Sequence, residues 1–372
     1  MAGIYLHIPF CKQACHYCDF HFSTSLKQSD AMVNAICKEI ELRKDFFGTD
    51  EIETVYFGGG TPSILTNKQL EAIINQLTTS FDLSSVSEYT LEANPDDISV
   101  EKLKLWKAIG VTRLSVGIQS FDDTNLSFLN RSHNSKEAIQ SIHDALDYSF
   151  DLSIDLIYGI QTSTEETWAN DLSQLSQFKE INHISAYCLT IEEQTTFGNW
   201  LEKKKIDPVE DDKAIQQYEV FQQWCAKQGF EQYEISNYAR KEQYAIHNTN
   251  YWTQQPYLGI GPSAHSYCNR ERSINIPNNA KYIKQLTAGE KFQELERLSE
   301  KDMLNEYVLT AIRTKWGIDI NKLKTFPAYS SELSQQINTL LVAEKLVQEG
   351  NSISINPAYK LFSDEIASQL FV

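Results

Sequence analysis

Short apolar segments alternate with amphipathic ones about six times through the first two-thirds of this chain, and that alternation limits the fold more than any other feature. "GIYLHI", "ETVYF", "EYTLEA", "TRLSVGIQSF", "DLSIDLIYGI" and "HISAYCLTI" read as strands. Between and after them, stretches such as "SDAMVNAICKEIELRKDF", "TNKQLEAIINQLTTSF" and "SKEAIQSIHDALDYSF" carry helical spacing. Ser29 or Asp30 is a plausible first N-cap, Thr66 or Asn67 begins the second helix, and Gly110 closes the third. Strands separated by helices predict an α/β fold with a parallel sheet and helices outside it, a full or partial (β/α)6-type barrel. In such barrels the chemistry sits on loops at the C-terminal ends of the strands.

The alternation stops near residue 240. From about 291 the pattern is helix, short helix, helix, hairpin, helix, a mostly helical, winged-helix-like module. The expected organisation is a barrel over 1–240, a connecting segment over 241–290 and a C-terminal domain over 291–372. A winged helix suggests DNA, but this one has no basic face. The chain has 33 Lys+Arg against 50 Asp+Glu, a net charge of -17 that repels phosphate backbones, so nucleic acid is not an expected partner. No apolar run reaches the roughly 20 residues a membrane span needs, and "MAGIYLHIPFC" is too short and uncharged for a signal peptide. Seven cysteines, four of them scattered (Cys37, Cys188, Cys225, Cys268), do not form a disulfide framework. A reducing cytoplasm is the expected compartment.

The other three cysteines stand together in "PFCKQACHYCDFHF", directly after the first strand. Cys11, Cys15 and Cys18 have no fourth cysteine nearby. A zinc site completed by His16 or His21 is one reading, and a C-x-x-C redox pair that leaves Cys11 unexplained is another. Three thiolates holding three irons of a 4Fe–4S cubane, with the fourth iron open to a small chelating molecule, match the count. Gly58-Gly59-Gly60-Thr61-Pro62 follows the second strand and lacks the Gly-Lys-[Ser/Thr] of a P-loop. It is either a tight turn or a place where a ligand approaches the backbone.

Together, CxxxCxxC on the first loop, Tyr5 in "YLHIPFC" and "FGGGTP" after the second strand resemble the radical S-adenosylmethionine superfamily. Within it, "EANPD", "RLSVGIQSF", "LNRSH" and "IDLIYG" resemble the branch that holds oxygen-independent coproporphyrinogen III dehydrogenases and HemW-type heme chaperones, over essentially the whole chain. The resemblance implies that Cys11, Cys15 and Cys18 ligate a 4Fe–4S cluster and that Tyr5 and Tyr17 flank S-adenosylmethionine beside it. Gly59, Gly60 and Thr61 would contact its methionine end through the backbone. Glu92, Gln119, Arg131 and Asp155 match positions that bind it by charge and hydrogen bonding. A sulfonium zwitterion calls for carboxylates near its cation and an arginine near its carboxylate.

Two features separate the members of that branch. The dehydrogenase pattern extends to CxxxCxxCxC, where this chain has Phe20, and it carries an N-terminal arm where only four residues precede Tyr5. "HNTNYW", His247 to Trp252, resembles the HNxxYW of the heme-chaperone group. By that resemblance His247 is the expected heme-iron ligand, with His265 in "GPSAHSY" as the second candidate. The expected function is therefore a heme chaperone that delivers heme to an acceptor protein. The alternative is a dehydrogenase that cleaves S-adenosylmethionine and oxidatively decarboxylates a porphyrinogen propionate. A reductant protein such as flavodoxin or ferredoxin, and a homodimer, are compatible with either.

Overall fold

The computed structural model describes residues 1–372. Strands β1 (Ala2–Ile8), β2 (Ile52–Gly59), β3 (Glu88–Ala93), β4 (Arg113–Gln119), β5 (Asp151–Tyr158) and β6 (His183–Cys188) lie side by side in chain order, all parallel. The crossovers carry α1 (Ser29–Leu42), α2 (Asn67–Ser80), α3 (Val100–Ala108), α4 (Asp123–Phe128), α5 (Ser135–Asp147) and α6 (Glu165–Leu175). Helices α7 (Thr196–Glu202) and α8 (Asp211–Gln228) follow β6. Short strands β7 (Glu231–Gln232) and β8 (Asn237–Ala239) then run antiparallel along its free edge.

Several helix starts follow the local sequence. Thr66 and Gln69 form a reciprocal capping box at α2, as Asn134 and Glu137 do at α5. At α1 the expected Ser29 or Asp30 cap is absent: the N-cap is Gln28, a 3-10 turn over Leu26–Gln28 leads in, and no side chain bonds the first turn.

The segment expected to be a connector is woven into the sheet instead. Helix α9 (Ile246–Trp252) precedes β9 (Tyr257–Ile260), which pairs parallel with β1. Strands β10 (His265–Cys268), β11 (Glu271–Asn275) and β12 (Gln293–Arg297) extend that edge antiparallel, with α10 (Asn279–Ala288) inserted before β12. The first sheet therefore runs through residue 297 rather than ending near 240. A second core of buried side chains begins at Leu304. It is built from α11 (Glu300–Ala311), β13 (Ile318–Asp319), α12 (Ile320–Leu323), α13 (Ser331–Val342), β14 (Leu346–Glu349), β15 (Ser352–Ile355) and α14 (Ser363–Ser368). Its three strands pair in the order β13-β15-β14, the wing of the expected winged helix. The two parts are joined by Arg272–Glu306 (2.6 Å) and Lys315–Glu231 (2.8 Å).

Strand alternation decides what the parallel sheet encloses. Ile4, Leu6, Val55, Phe57, Leu91, Leu114, Val116, Leu152 and Ile154 belong to the main apolar core under the helices. Their neighbours along each strand are polar or aromatic: Tyr5, His7, Thr54, Tyr56, Glu92, Ser115, Ser153 and Asp155. Residues of β2 to β6 line one common cavity, which requires the sheet to curl around it. The inside of the curl is thus a polar chamber, opening at the C-terminal ends of the strands.

Candidate functional site

The loop after β1 folds across that opening. Its backbone is tied by Cys11 N–H to the Ser23 carbonyl (3.1 Å), His16 N–H to the Leu129 carbonyl (3.1 Å) and Cys18 N–H to the Cys15 carbonyl (3.3 Å). The Asn130 side chain donates to the Ala14 carbonyl (2.7 Å) and accepts from Gln13 (2.8 Å), so the "LNRSH" segment clamps the cysteine loop. Cys11, Cys15 and Cys18 are all free thiols facing one cavity of about 400 Å³. Burial pushes Cys11 up to about 11 and Cys18 up to about 12, so both are protonated at neutral pH until a metal displaces the proton.

The same cavity is lined by Tyr17, Gly59, Gly60, Thr61, Glu92, Gln119, Arg131 and Asp155. Arg131 donates through Nη2 to Asn94 Oδ1 (2.7 Å) and to the Gly117 carbonyl (2.8 Å). Its Nη1 reaches Cys15 Sγ (3.3 Å) and the Tyr17 hydroxyl (3.4 Å), while Nε is buried without a partner. Gln119 sits at φ 68°, beyond a bulge in β4, a left-handed conformation costly for a non-glycine residue. Asp171 holds the residues after it, accepting from the Ser120 hydroxyl and the Phe121 N–H, each at 2.7 Å.

Two carboxylates line the chamber together with Arg131. Glu92 accepts from the Tyr56 hydroxyl (2.8 Å) and the Gly59 N–H (3.2 Å). Burial raises it to about 7, with repulsion from Asp155 adding to the rise. Asp155 accepts from the Ser115 hydroxyl (3.2 Å), and burial raises it to about 6. Two carboxylates held this way favour a cationic guest, which would restore the charge that burial penalises. The sign for stability is the reverse. Asp155 titrates near 3.8 when unfolded and about 6 when folded, so the folded state holds the extra proton across that window and stability falls as pH rises through it. Asp155→Asn keeps hydroxyl partners and removes this penalty. We expect it to raise the stability of the empty protein above neutral pH by on the order of 1–3 kcal/mol, and by little near pH 4, in denaturant titrations at both values.

The glycine loop differs from expectation in one respect. Gly60 N–H donates to the Ile8 carbonyl (2.9 Å) and Thr61 N–H to the Phe10 carbonyl (2.7 Å), so the backbone donors of the loop are already engaged. Only acceptors remain for a ligand, and the Gly60 carbonyl accepts no hydrogen bond. A Cβ on Gly60 would lie 2.6 Å from the Phe10 carbonyl oxygen, so what demands glycine there is the cysteine loop itself.

Two other expectations are displaced. Tyr5 lies outside the first cavity; it lines a second of about 520 Å³ that shares Asp19, Phe20, Gly59 and Glu92 with the first. His247 is corrected more fully. It is buried at 2% exposure on α9, which plugs the inside of the curl near the N-terminal ends of the strands. Glu88 caps that helix by accepting from the N–H groups of Ile246 (2.8 Å) and His247 (2.9 Å). His247 Nδ1 bonds Thr54 Oγ1 (2.7 Å), Nε2 bonds the Tyr251 hydroxyl (2.9 Å), and the ring stacks on Tyr56. Neither nitrogen is free for a heme iron, and burial lowers the imidazole to about 3. From "HNTNYW", the side chain that reaches the second cavity is Tyr251. Asn94, Tyr56 and Ser115 were not anticipated. Asn94 was legible in "EANPD", and Ser115 in the polar alternation of "RLSVG".

Residues 5–175 match the family described as the Radical SAM superfamily. The chain is 30% identical to "Heme chaperone HemW" of Bacillus subtilis over 98% of both chains. It is 31% identical to the protein of that name from Lactococcus lactis, over 92% of this chain and 90% of the relative. It is also 31% identical to "Radical S-adenosyl methionine domain-containing protein 1, mitochondrial" of Mus musculus, over 85% of this chain and 74% of the relative. Among solved structures, coproporphyrinogen III oxidase (HemN) of Escherichia coli superposes with a TM-score of 0.86 at 20% identity, over 100% of this chain and 90% of that one, a likeness of fold. No helix is long and apolar enough to cross a membrane.

Proposed function

The chain belongs to the HemW family of the radical SAM superfamily, and from that premise we propose that it carries heme to an acceptor protein, with a 4Fe–4S cluster and S-adenosylmethionine held in the first cavity. The proposed compartment is one that keeps thiols reduced, the cytoplasm. The residues fit the cluster and its ligand. No three His, Cys, Asp or Glu side chains converge closely enough to hold a single metal ion. That geometry disfavours zinc, which every thiolate would have to approach at about 2.3 Å; thiolates that each take a different iron need not converge. The orphaned Nε of Arg131 suits a carboxylate, and the Gly60 carbonyl with Glu92 and Asp155 suits an ammonium and a sulfonium. When bound, the cluster supplies one-electron reduction. The chain's own part is to fix the thiols through the Asn130 clamp and Arg131, and to hold the cationic ligand against Glu92 and Asp155. Affinity for S-adenosylmethionine should therefore rise with pH between about 5.5 and 8 as those carboxyls ionise, an expectation checked by calorimetry.

The observation that carries the heme reading is the second cavity. It adjoins the first, and Tyr5, Tyr251, Tyr257 and Phe20 give it aromatic walls for a flat apolar ring. Phe20, where a dehydrogenase pattern has cysteine, stands 68% exposed at the junction of the two. Anaerobically reconstituted protein incubated with excess hemin and passed through gel filtration should retain about one heme per chain. Elution free of heme would contradict the reading.

A further inference from the structure

We infer that His265, on β10, is the side chain that ligates heme iron in the second cavity. The inference rests on the heme reading above and assigns the iron ligand within it.

Elimination among the eight histidines of the chain makes the first case. His183 and His247 are buried with both ring nitrogens bonded. His7 is bonded at both as well, to the Tyr5 hydroxyl (3.2 Å) and the His21 carbonyl (2.8 Å). His133 is buried and donates through Nε2 to the Ile118 carbonyl (3.1 Å). His16 is tied to the Phe128 carbonyl (2.9 Å) and packs on Trp200 (4.5 Å between ring centres). His143 packs on Phe178, on the outer helix α5, away from either cavity. Two histidines with a free nitrogen line the second cavity, His21 and His265. His21 Nε2 is already committed to Asn279 Oδ1 (2.7 Å). His265 is exposed and makes no side-chain hydrogen bond, so both its nitrogens are open.

The second case is positioning. A metal ligand must be held in place by its surroundings. The loop leading to His265 is pinned from below by Glu39, a fully buried carboxylate on α1. Glu39 accepts from the Gly261 N–H (2.9 Å), the Asn275 amide (2.8 Å) and the Tyr282 hydroxyl (2.5 Å). Asn275 also donates to the Gly261 carbonyl (2.8 Å), and its N–H reaches the Ala264 carbonyl (2.9 Å). On the other side of His265, the Ser266 hydroxyl accepts from Gly259 N–H (3.0 Å), and Gly259 has no Cβ because His265 backbone oxygen would lie 2.0 Å from it. So an imidazole with no partner of its own is presented on a backbone that is bonded on both sides. Tyr257 and Tyr251, edge to face at 4.6 Å, stand on the same cavity wall and suit a porphyrin face.

The test uses the full-length reconstituted protein and hemin, titrated by absorbance. His265→Ala should lose the wild-type Soret position and bind hemin at least tenfold more weakly, and added imidazole should restore the Soret position. A role confined to folding would not respond to imidazole. His247→Ala and His21→Ala should keep the wild-type Soret position. Wild-type spectrum and affinity in His265→Ala, with loss in His21→Ala or His247→Ala, would overturn the assignment and leave the heme reading standing. Failure of the wild-type protein itself to bind hemin would overturn both.

Discussion

Changing any one of Cys11, Cys15 or Cys18 to alanine is expected to abolish the brown 4Fe–4S chromophore, from about four irons per chain to none after anaerobic reconstitution. Each thiol lines the same cavity, and each would hold a different iron, so the loss of one leaves the cluster short of a ligand. Cys188→Ala is the strict control, because Cys188 lines that cavity too, from the end of β6. It should keep full iron content. Iron and sulfide analysis beside the visible spectrum decides the matter, and one zinc with no iron in the wild-type protein would end the cluster assignment.

Gly60→Ala is expected to be nearly as damaging, through a different cause. The added methyl would meet the Phe10 carbonyl oxygen at 2.6 Å and the Ile8 carbonyl oxygen and Phe10 nitrogen at 2.8 Å. These are backbone atoms, so no rotamer change relieves the overlap. The loop that carries the cysteines must move, and the two hydrogen bonds that dock it, Gly60 to Ile8 and Thr61 to Phe10, must lengthen. Overpacking of this kind costs roughly 1–3 kcal/mol, one to two orders of magnitude in the equilibrium between docked and displaced loop. Cluster content should fall steeply while far-ultraviolet circular dichroism stays unchanged, because the overlapping atoms belong to the end of β1 and the loop after it and not to any helix. Full cluster content in Gly60→Ala would show that the loop tolerates displacement.

Six parallel strands and their helices were legible because each inner strand shows two faces in its letters. "RLSVGIQ" sets Arg113, Ser115 and Gly117 against Leu114, Val116 and Ile118, and the structure sends the first set into the chamber and the second under the helices. Strands β9 to β12 were not legible. They are four or five residues long, and β12 leaves almost every side chain exposed, so they carry too little pattern to stand out from loops. The residues of the first cavity were found by motif, since the loops that carry them follow strand ends. What motif could not convey is direction. "HNTNYW" says nothing about which side of α9 meets the cavity, and only the bonds from His247 to Thr54 and Tyr251 show that the histidine turns inward. Nor could "FGGGTP" reveal that Gly60 serves the approach of the cysteine loop, because that contact joins segments fifty residues apart.

Anaerobic incubation with coproporphyrinogen III, S-adenosylmethionine and a strong reductant separates most directly the proposed carrying of a porphyrin from the conversion of one. Decarboxylation demands that each reacting propionate be held in contact with the reactive group, and imperfect placement costs orders of magnitude in rate. With Phe20 in place of the further cysteine of the dehydrogenase pattern, the account predicts coproporphyrinogen III recovered intact by chromatography. Stoichiometric protoporphyrinogen IX, matched by an authentic dehydrogenase run alongside, would contradict it.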